Sequence, residues 1–418
     1  MTGTVPPESL VATVLRDVPV IDGHNDLPAA LRGAAGYAVD GLDHHRPELH
    51  TDLPRLRAGG VGAQFWSVWV PSDLPESEAV VATLEQIDAV YRMIARYPRD
   101  LALTCTADAV RAACRAGRIA SLLGVEGGHS IASSLGVLRT FARLGVRYMT
   151  LTHNHNTPWA DSATDEPGVG GLDDTGRAVL AEMARLGILV DLSHVAATTQ
   201  HAALDVATAP VLFSHSSARA LCDHPRNVAD DVLARIPGNG GVVSVTFVPY
   251  FVSPEMTDWS RAASAERTRL GITDPLWRWP RAPRPGESAA AVAAEFGAAG
   301  SEDTRFAAWV AAHPRPEVTV AQVADHVDHV REVAGVAHVG IGGDYDGVDV
   351  QPSGLEDVSC YPRLLAELAG RGWSRADLEA LTGRNVLRVL HDAEQAATEP
   401  LWPRCAPLPP NTPVERPR

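Results

Sequence analysis

The sequence predicts a (β/α)8 barrel, and three observations carry that prediction. Eight short apolar or β-branched runs recur along the chain. Between them lie patterns with apolar residues at three- and four-residue spacing, the signature of amphipathic helices. The runs are apolar throughout, as strands covered on both faces by crossover helices must be. Strand and helix in alternation imply a parallel sheet with right-handed connections, and eight such units suggest a closed barrel. A doubly wound open sheet is the competing arrangement, but the sequence has no glycine-rich dinucleotide fingerprint.

The runs, in order, are "VPVIDGH", "GAQFWSVWV", "IASLLGVEG", "VRYMTLTHN", "GILVDLSH", "APVLFSHS", "GGVVSVTF" and "HVGIGGDYD". Among the helical patterns, "SEAVVATLEQIDAVYRMIARYP" must stop before Pro98, and "TGRAVLAEMARLG" ends on Gly187, a residue suited to a left-handed cap. "VTVAQVADHVDHVREVAG" and "SRADLEALTGRNVLRVLHDAEQ" read as helices by the same spacing. One segment breaks the rhythm. Residues 255–317, with "DPLWRWPRAPRPGES" and "AAHPRPEV", are far longer than the usual strand–helix connection of about 2–6 residues. They read as a partly helical excursion after the seventh strand, in which Trp277 and Trp279 suggest docking onto another surface. The expected organisation is a barrel domain over residues 1–395 containing that insert, followed by a proline-rich tail at 396–418.

Composition narrows the function. The chain has 418 residues and a net charge of −15, so it repels phosphate backbones and nucleic acid is not expected as a partner. All 36 basic residues are arginine. The absence of lysine excludes a Schiff-base lysine, a P-loop lysine and a carbamylated lysine bridging two metals. No run reaches the roughly 18 apolar residues that would suggest a membrane span, and the N-terminus lacks a secretory pattern. The five cysteines show no close pair. They read as reduced thiols in a cytoplasmic protein.

Chemistry gathers at the ends of the runs. "VIDGHNDLP" places His24 and Asp26 two positions apart, where a strand would point both the same way. Glu126, His153, His155, His194, His215, Asp344 and Asp346 each follow an apolar run closely. In a (β/α)8 barrel these C-terminal strand ends share one mouth. Imidazole and carboxylate together suit zinc. His24, Asp26, Glu126, His194 and His215 divide into two ligand sets if Glu126 serves both, and two metals about 3.5–4 Å apart can share a hydroxide. Asp344 is the acid–base candidate, and His153 is a functional candidate beside the cations. Asp346 braces its loop, His155 is read as scaffold, and His129 is a supporting group near the site. Arg226, in "HPRN", has nothing in its own surroundings that marks it as a ligand-binding arginine.

The stretches "DGHNDLP", "GAQFWSVWVP", "LLGVEGGHSI", "LTHNHNTPWAD", "DLSHV", "FSHSSA" and "VGIGGDYDGV" together resemble the renal, or membrane, dipeptidases, binuclear zinc enzymes of (β/α)8 fold. That resemblance implies one zinc on His24 and Asp26, a second on His194 and His215, and a bridge through Glu126 and a water or hydroxide. It also implies that His153 polarises the substrate, Arg226 holds the substrate carboxylate and Asp344 carries the proton. The implied reaction is hydrolysis of small dipeptides, L-L and L-D, by a metal-bridging hydroxide. The chain departs from the secreted mammalian members at Ser72 and His155, where they have cysteines, and in the insert, which lies on the catalytic face as a candidate lid or homodimer contact. A lipid anchor and a membrane association are not expected. The alternative within the enzymes is an amidohydrolase or deaminase of cyclic amides, which commonly opens with His-x-His where this chain has His24-x-Asp26.

Overall fold

Nine strands form one parallel sheet: β1 (Val20–Asn25), β2 (Val61–Trp69), β3 (Leu101–Leu103), β4 (Ile119–Glu126), β5 (Val146–Thr150), β6 (Leu189–Asp191), β7 (Leu212–Phe213), β8 (Val242–Val245) and β9 (Val339–Ile341). The computed structural model describes residues 6–272 and 304–399. Strand β2 pairs directly with β4, residues 63–69 against 120–126. With β1 bonded to both β2 and β9, this closes eight strands into the expected (β/α)8 barrel. These eight are the runs read from the sequence. The ninth, β3, lies beside the start of β4 with Leu101 opposite Ile119. It escaped the sequence reading because three residues, "LAL", are too short to show a period and carry no β-branched side chain.

Nearly every strand residue is buried, as a barrel inside a ring of helices requires. The packing inside the barrel fixes some identities. A Cβ on Gly124 would lie 2.0 Å from the ring of Tyr148, so only glycine leaves room for this tyrosine in the barrel interior. The helices end where the sequence places their stops. Glu76–Arg96 stops two residues before Pro98, and Asp174–Leu186 is capped by Gly187 at φ 67°. Thr319 and Gln322 form a capping box on Val320–Ala334. The last helical pattern contains a π-turn at Ala380–Arg384 between Arg375–Glu379 and Asn385–Ala396.

The excursion after the seventh barrel strand opens with helix Pro254–Arg269, and helix Thr304–Ala312 lies near its end. Trp259 contacts Trp309, donates its indole N–H to the His313 carbonyl at 2.7 Å and carries Arg315 over its ring. Trp277 and Trp279 lie outside the described residues, as does the tail from residue 400. Among the described residues, no helix is long and apolar enough to cross a membrane.

The expectation of five reduced thiols is corrected. Cys105 is disulfide-bonded, whereas Cys114, Cys222 and Cys360 are free. Spacing along the chain could not show this, because a disulfide depends on approach in space.

Candidate metal centre and substrate pocket

Because all the barrel strands are parallel, their C-terminal ends open on one mouth. His24 belongs to β1 and Asp26 follows it; Glu126 ends β4. His153, His194, His215 and Asp344 come within three residues of the ends of β5, β6, β7 and β9. A cavity of about 690 Å³ there is lined by Asp26, Glu126, His153, His194, His215, Arg226 and Asp344, with Trp69, Tyr250, Phe251 and Ser260 among the walls.

Glu126 is the hub. Its Oε1 lies 2.9 Å from His194 Nε2, 3.4 Å from His215 Nε2 and 3.9 Å from His153 Nε2. Its Oε2 lies 3.4 Å from His24 Nε2 and accepts the Ser67 hydroxyl at 2.9 Å. His24 Nε2 is also 3.3 Å from Asp26 and 3.9 Å from Asp344. Three groups place their ligand atoms within 4.8 Å of one another: His24 with Glu126 and His215, Glu126 with His153 and His194, and His24 with Asp26 and Asp344. Every residue the sequence singled out as a ligand is therefore drawn in, and His153 and Asp344 join them.

The electrostatics match a cation site. Four buried carboxylates line the cavity, Asp26, Glu126, Asp344 and Asp346, against one buried guanidinium, Arg226. Burial holds His153, His194 and His215 well below the usual histidine range, which leaves them neutral with a lone pair to give. On His24 burial acts the same way, but Tyr148, Glu126 and Asp26 outweigh it and raise the ring well above that range. Burial pushes Asp344 well above the usual carboxylate range, with Asp26 and Glu126 adding to it against His24. His24 Nε2 and Asp26 Oδ1 are buried with no hydrogen-bond partner. Orphaned buried donors and acceptors are costly, and divalent cations would satisfy them. Imidazoles and carboxylates in this mixture fit zinc or a similar first-row ion.

The remaining candidates separate. Arg226 is buried; its Nη2 donates to the His215 carbonyl at 3.3 Å, and its guanidinium sits over the Phe251 ring. Its Nε has no partner. Burial lowers it to about 10, still charged at neutral pH. Asp346 accepts the His50 backbone N–H at 2.7 Å, while His50 Nδ1 accepts the Asp346 N–H at 3.1 Å, a reciprocal clasp that braces the loop. His129 turns to the Val70 carbonyl at 3.0 Å and is absent from the cavity wall. His155 lies on the rim, its Nδ1 2.7 Å from Ser72 Oγ. These are the two positions that the resemblance marked as departures, and a hydrogen bond joins them.

Sequence reasoning missed Tyr148, Ser67 and Trp69. The Tyr148 hydroxyl meets His24 Nδ1 at 2.9 Å, and Trp69 Nε1 donates to His153 Nε2 at 3.1 Å. Trp69 and Ser67 share a face of β2 at i, i+2 spacing, a signal that was present in "GAQFWSVWV". Nothing in the sequence linked Tyr148 to Gly124.

The family model for membrane dipeptidases, peptidase family M19, matches residues 9–403. Dipeptidase verJ of Clonostachys rogersoniana is 40% identical over 396 residues, covering 92% of this chain and 86% of that protein. Dipeptidase 3 of mouse is 38% identical over 394 residues, covering 93% and 67%. In fold, the chain resembles the probable dipeptidase PvdM of Pseudomonas aeruginosa, with TM-score 0.77, 22% identity and coverage of 94% and 99%. It also resembles a metallopeptidase from Rhodobacter sphaeroides liganded with a phosphinate mimic of L-Ala-D-Ala, with TM-score 0.70, 23% identity and coverage of 90% and 99%. A match along nearly the whole chain places this protein in the membrane dipeptidase family, peptidase family M19.

Proposed function

We propose that this protein hydrolyses free dipeptides, L-L and L-D, at two zinc ions held by His24, Asp26, Glu126, His194 and His215, with Glu126 common to both. The observation that carries this reading is the buried, incompletely satisfied guanidinium of Arg226 in the same cavity as the carboxylate–imidazole cluster. A positive group that can pair with a terminal carboxylate faces a centre that can hydrolyse an amide. Cations at that centre would acidify a water molecule and polarise the scissile carbonyl.

The chain's own groups supply the rest. Arg226 pairs with the substrate carboxylate and so fixes the scissile bond in one place, which removes much of the entropic cost of reaching the transition state. His153, steadied by Trp69, faces the carbonyl oxygen and stabilises the charge that develops on it. Asp344 accepts the proton of the attacking water and returns it to the leaving amine. Tyr148 and Ser67 keep His24 and Glu126 aimed at the cavity.

Tolerance of a D-residue at the C-terminal position rests on the family resemblance, and the ligand of the Rhodobacter sphaeroides protein supports testing it. A homodimer and a cytoplasmic location are proposals of the same kind. The experiment is metal analysis of the purified protein combined with an assay of L-L, L-D and D-L dipeptides. Two zinc ions per chain with turnover of L-L and L-D substrates is the expected result; turnover of blocked amides alone would reject the reading.

A further inference from the structure

We infer that Asp22 and Asp191 are positioning residues, each governing one half of the metal centre: Asp22 the half that holds His24 and Asp26, with the proton carrier Asp344 beside them, and Asp191 the half that holds His194 and His215. The inference rests on the two-metal reading above and goes beyond the ligands themselves. Both side chains are completely buried, and neither lines the cavity. Among the described residues neither has a guanidinium within ion-pair reach, so the direct partners of each carboxylate are hydrogen-bond donors.

Those bonds share one pattern. Asp22 Oδ1 accepts the backbone N–H of His24 at 2.8 Å and that of Gly343 at 3.1 Å. Gly343 immediately precedes Asp344. Asp22 Oδ2 accepts the Tyr361 hydroxyl from behind. Asp191 Oδ1 accepts the N–H of Ser193 at 3.1 Å and of Ser214 at 2.8 Å, the residues immediately before His194 and His215. Asp191 Oδ2 accepts the hydroxyls of Ser214 at 2.6 Å and Thr150 at 2.5 Å. Every backbone donor to either aspartate is thus a proposed ligand, or the residue directly before a proposed ligand or before the proton carrier Asp344. Each carboxylate ties two strand ends together, β1 to the segment after β9 and β6 to β7.

The Asp191 clamp reaches the ligand ring itself. The Ser214 hydroxyl, which donates to Asp191, lies 2.8 Å from His215 Nδ1. Having given its proton to the carboxylate, it accepts from Nδ1–H, and that fixes the tautomer with Nε2 free for a metal. His194 and Asp344 also have left-handed backbones, at φ 66° and 57°, conformations that non-glycine residues keep only when the surroundings enforce them. The clamps hold the residue directly before each of these two.

The test is a zinc titration of the chelator-stripped full-length protein against a competing chelator, with thermal melting as a check on folding. Wild type is expected to show two equivalents. Asp22→Ala should weaken one equivalent by roughly 10–100-fold, the usual effect of removing a group that orients a ligand, and leave the other unchanged; Asp191→Ala should do the reverse. Adding His24→Ala to Asp22→Ala should leave the surviving equivalent untouched, whereas adding His194→Ala should remove it. If either alanine variant fails to melt cooperatively, Asp22→Asn and Asp191→Asn, which keep the side-chain volume, should show the same selectivity. Variants that keep both equivalents at wild-type affinity, or lose both together, overturn the inference. Fewer than two equivalents in wild type instead overturns the two-metal reading.

Discussion

His194 Nε2 and His215 Nε2 stand 3.0 Å apart, and both face Glu126 Oε1. Two neutral imidazoles at this distance need a proton or a cation between them. Chelation should therefore abolish activity, and restored zinc should stabilise the fold by about 2.7 kcal/mol per site at a hundredfold excess over Kd. Glu126→Ala should lose both ions, because Glu126 belongs to two of the three ligand groups. Metal analysis of that variant, beside the melting curve of the stripped wild type, checks both statements.

Asp344 is 3.9 Å from His24 Nε2 and presents its carboxylate to the cavity. Asp344→Asn removes the proton carrier with little change in shape. The expected result is full metal content with kcat lowered about 10²–10⁴-fold. Near-normal kcat in this variant would remove Asp344 from the reaction.

Arg226 is the buried cation of the cavity wall. Converting the substrate carboxylate to an amide forfeits a charged hydrogen bond worth roughly 1.5–3 kcal/mol, a tenfold to hundredfold loss in kcat/KM. A one-residue extension should fare worse, since it must occupy the space of the carboxylate. Arg226→Ala should erase the preference for free acid over amide. Equal turnover of dipeptide, amide and tripeptide by wild type would show that Arg226 does not mark the substrate's end.

The excursion reaches the pocket through Ser260, one residue after Trp259, whose indole is held by His313, Trp309 and Arg315. Trp259→Ala should loosen that clasp and raise KM while leaving kcat close to wild type, because no group of the metal centre is touched. Steady-state kinetics on one dipeptide suffices, and an unchanged KM would make the excursion irrelevant to binding.

His326 accepts the Ala218 N–H at 3.0 Å through Nδ1, and its Nε2 meets the Val252 carbonyl at 3.0 Å. Burial lowers it to about 4, against about 6.5 in an unfolded chain. Between these values the unfolded chain binds a proton that the folded chain refuses. Stability should therefore fall as pH drops from about 6.5 toward 4, by up to roughly 1.4 kcal/mol per pH unit. His326→Gln keeps a donor and an acceptor but does not titrate, so its urea midpoint should fall less steeply than wild type over pH 7 to 5.

The sequence alone determined the barrel, because eight apolar runs separated by helical spacing admit few other closed arrangements. It also singled out the residues that gather at the barrel mouth. His24, Asp26, Glu126, His194 and His215 all stand at strand ends, and parallel strands in a barrel bring such ends together however far apart they lie in the chain. Arg226 was legible only through family resemblance, since an arginine in a loop carries no period to place it. Tertiary structure alone decided the rest. Tyr148 reaches His24 because Gly124 on the neighbouring strand leaves the space open. Asp22 and Asp191 looked like ordinary strand residues until their acceptors were seen against the backbones of two strands at once. Periodicity reports which face a residue occupies; which atoms meet across that face depends on strand register and side-chain volume, and these exist only in the closed barrel.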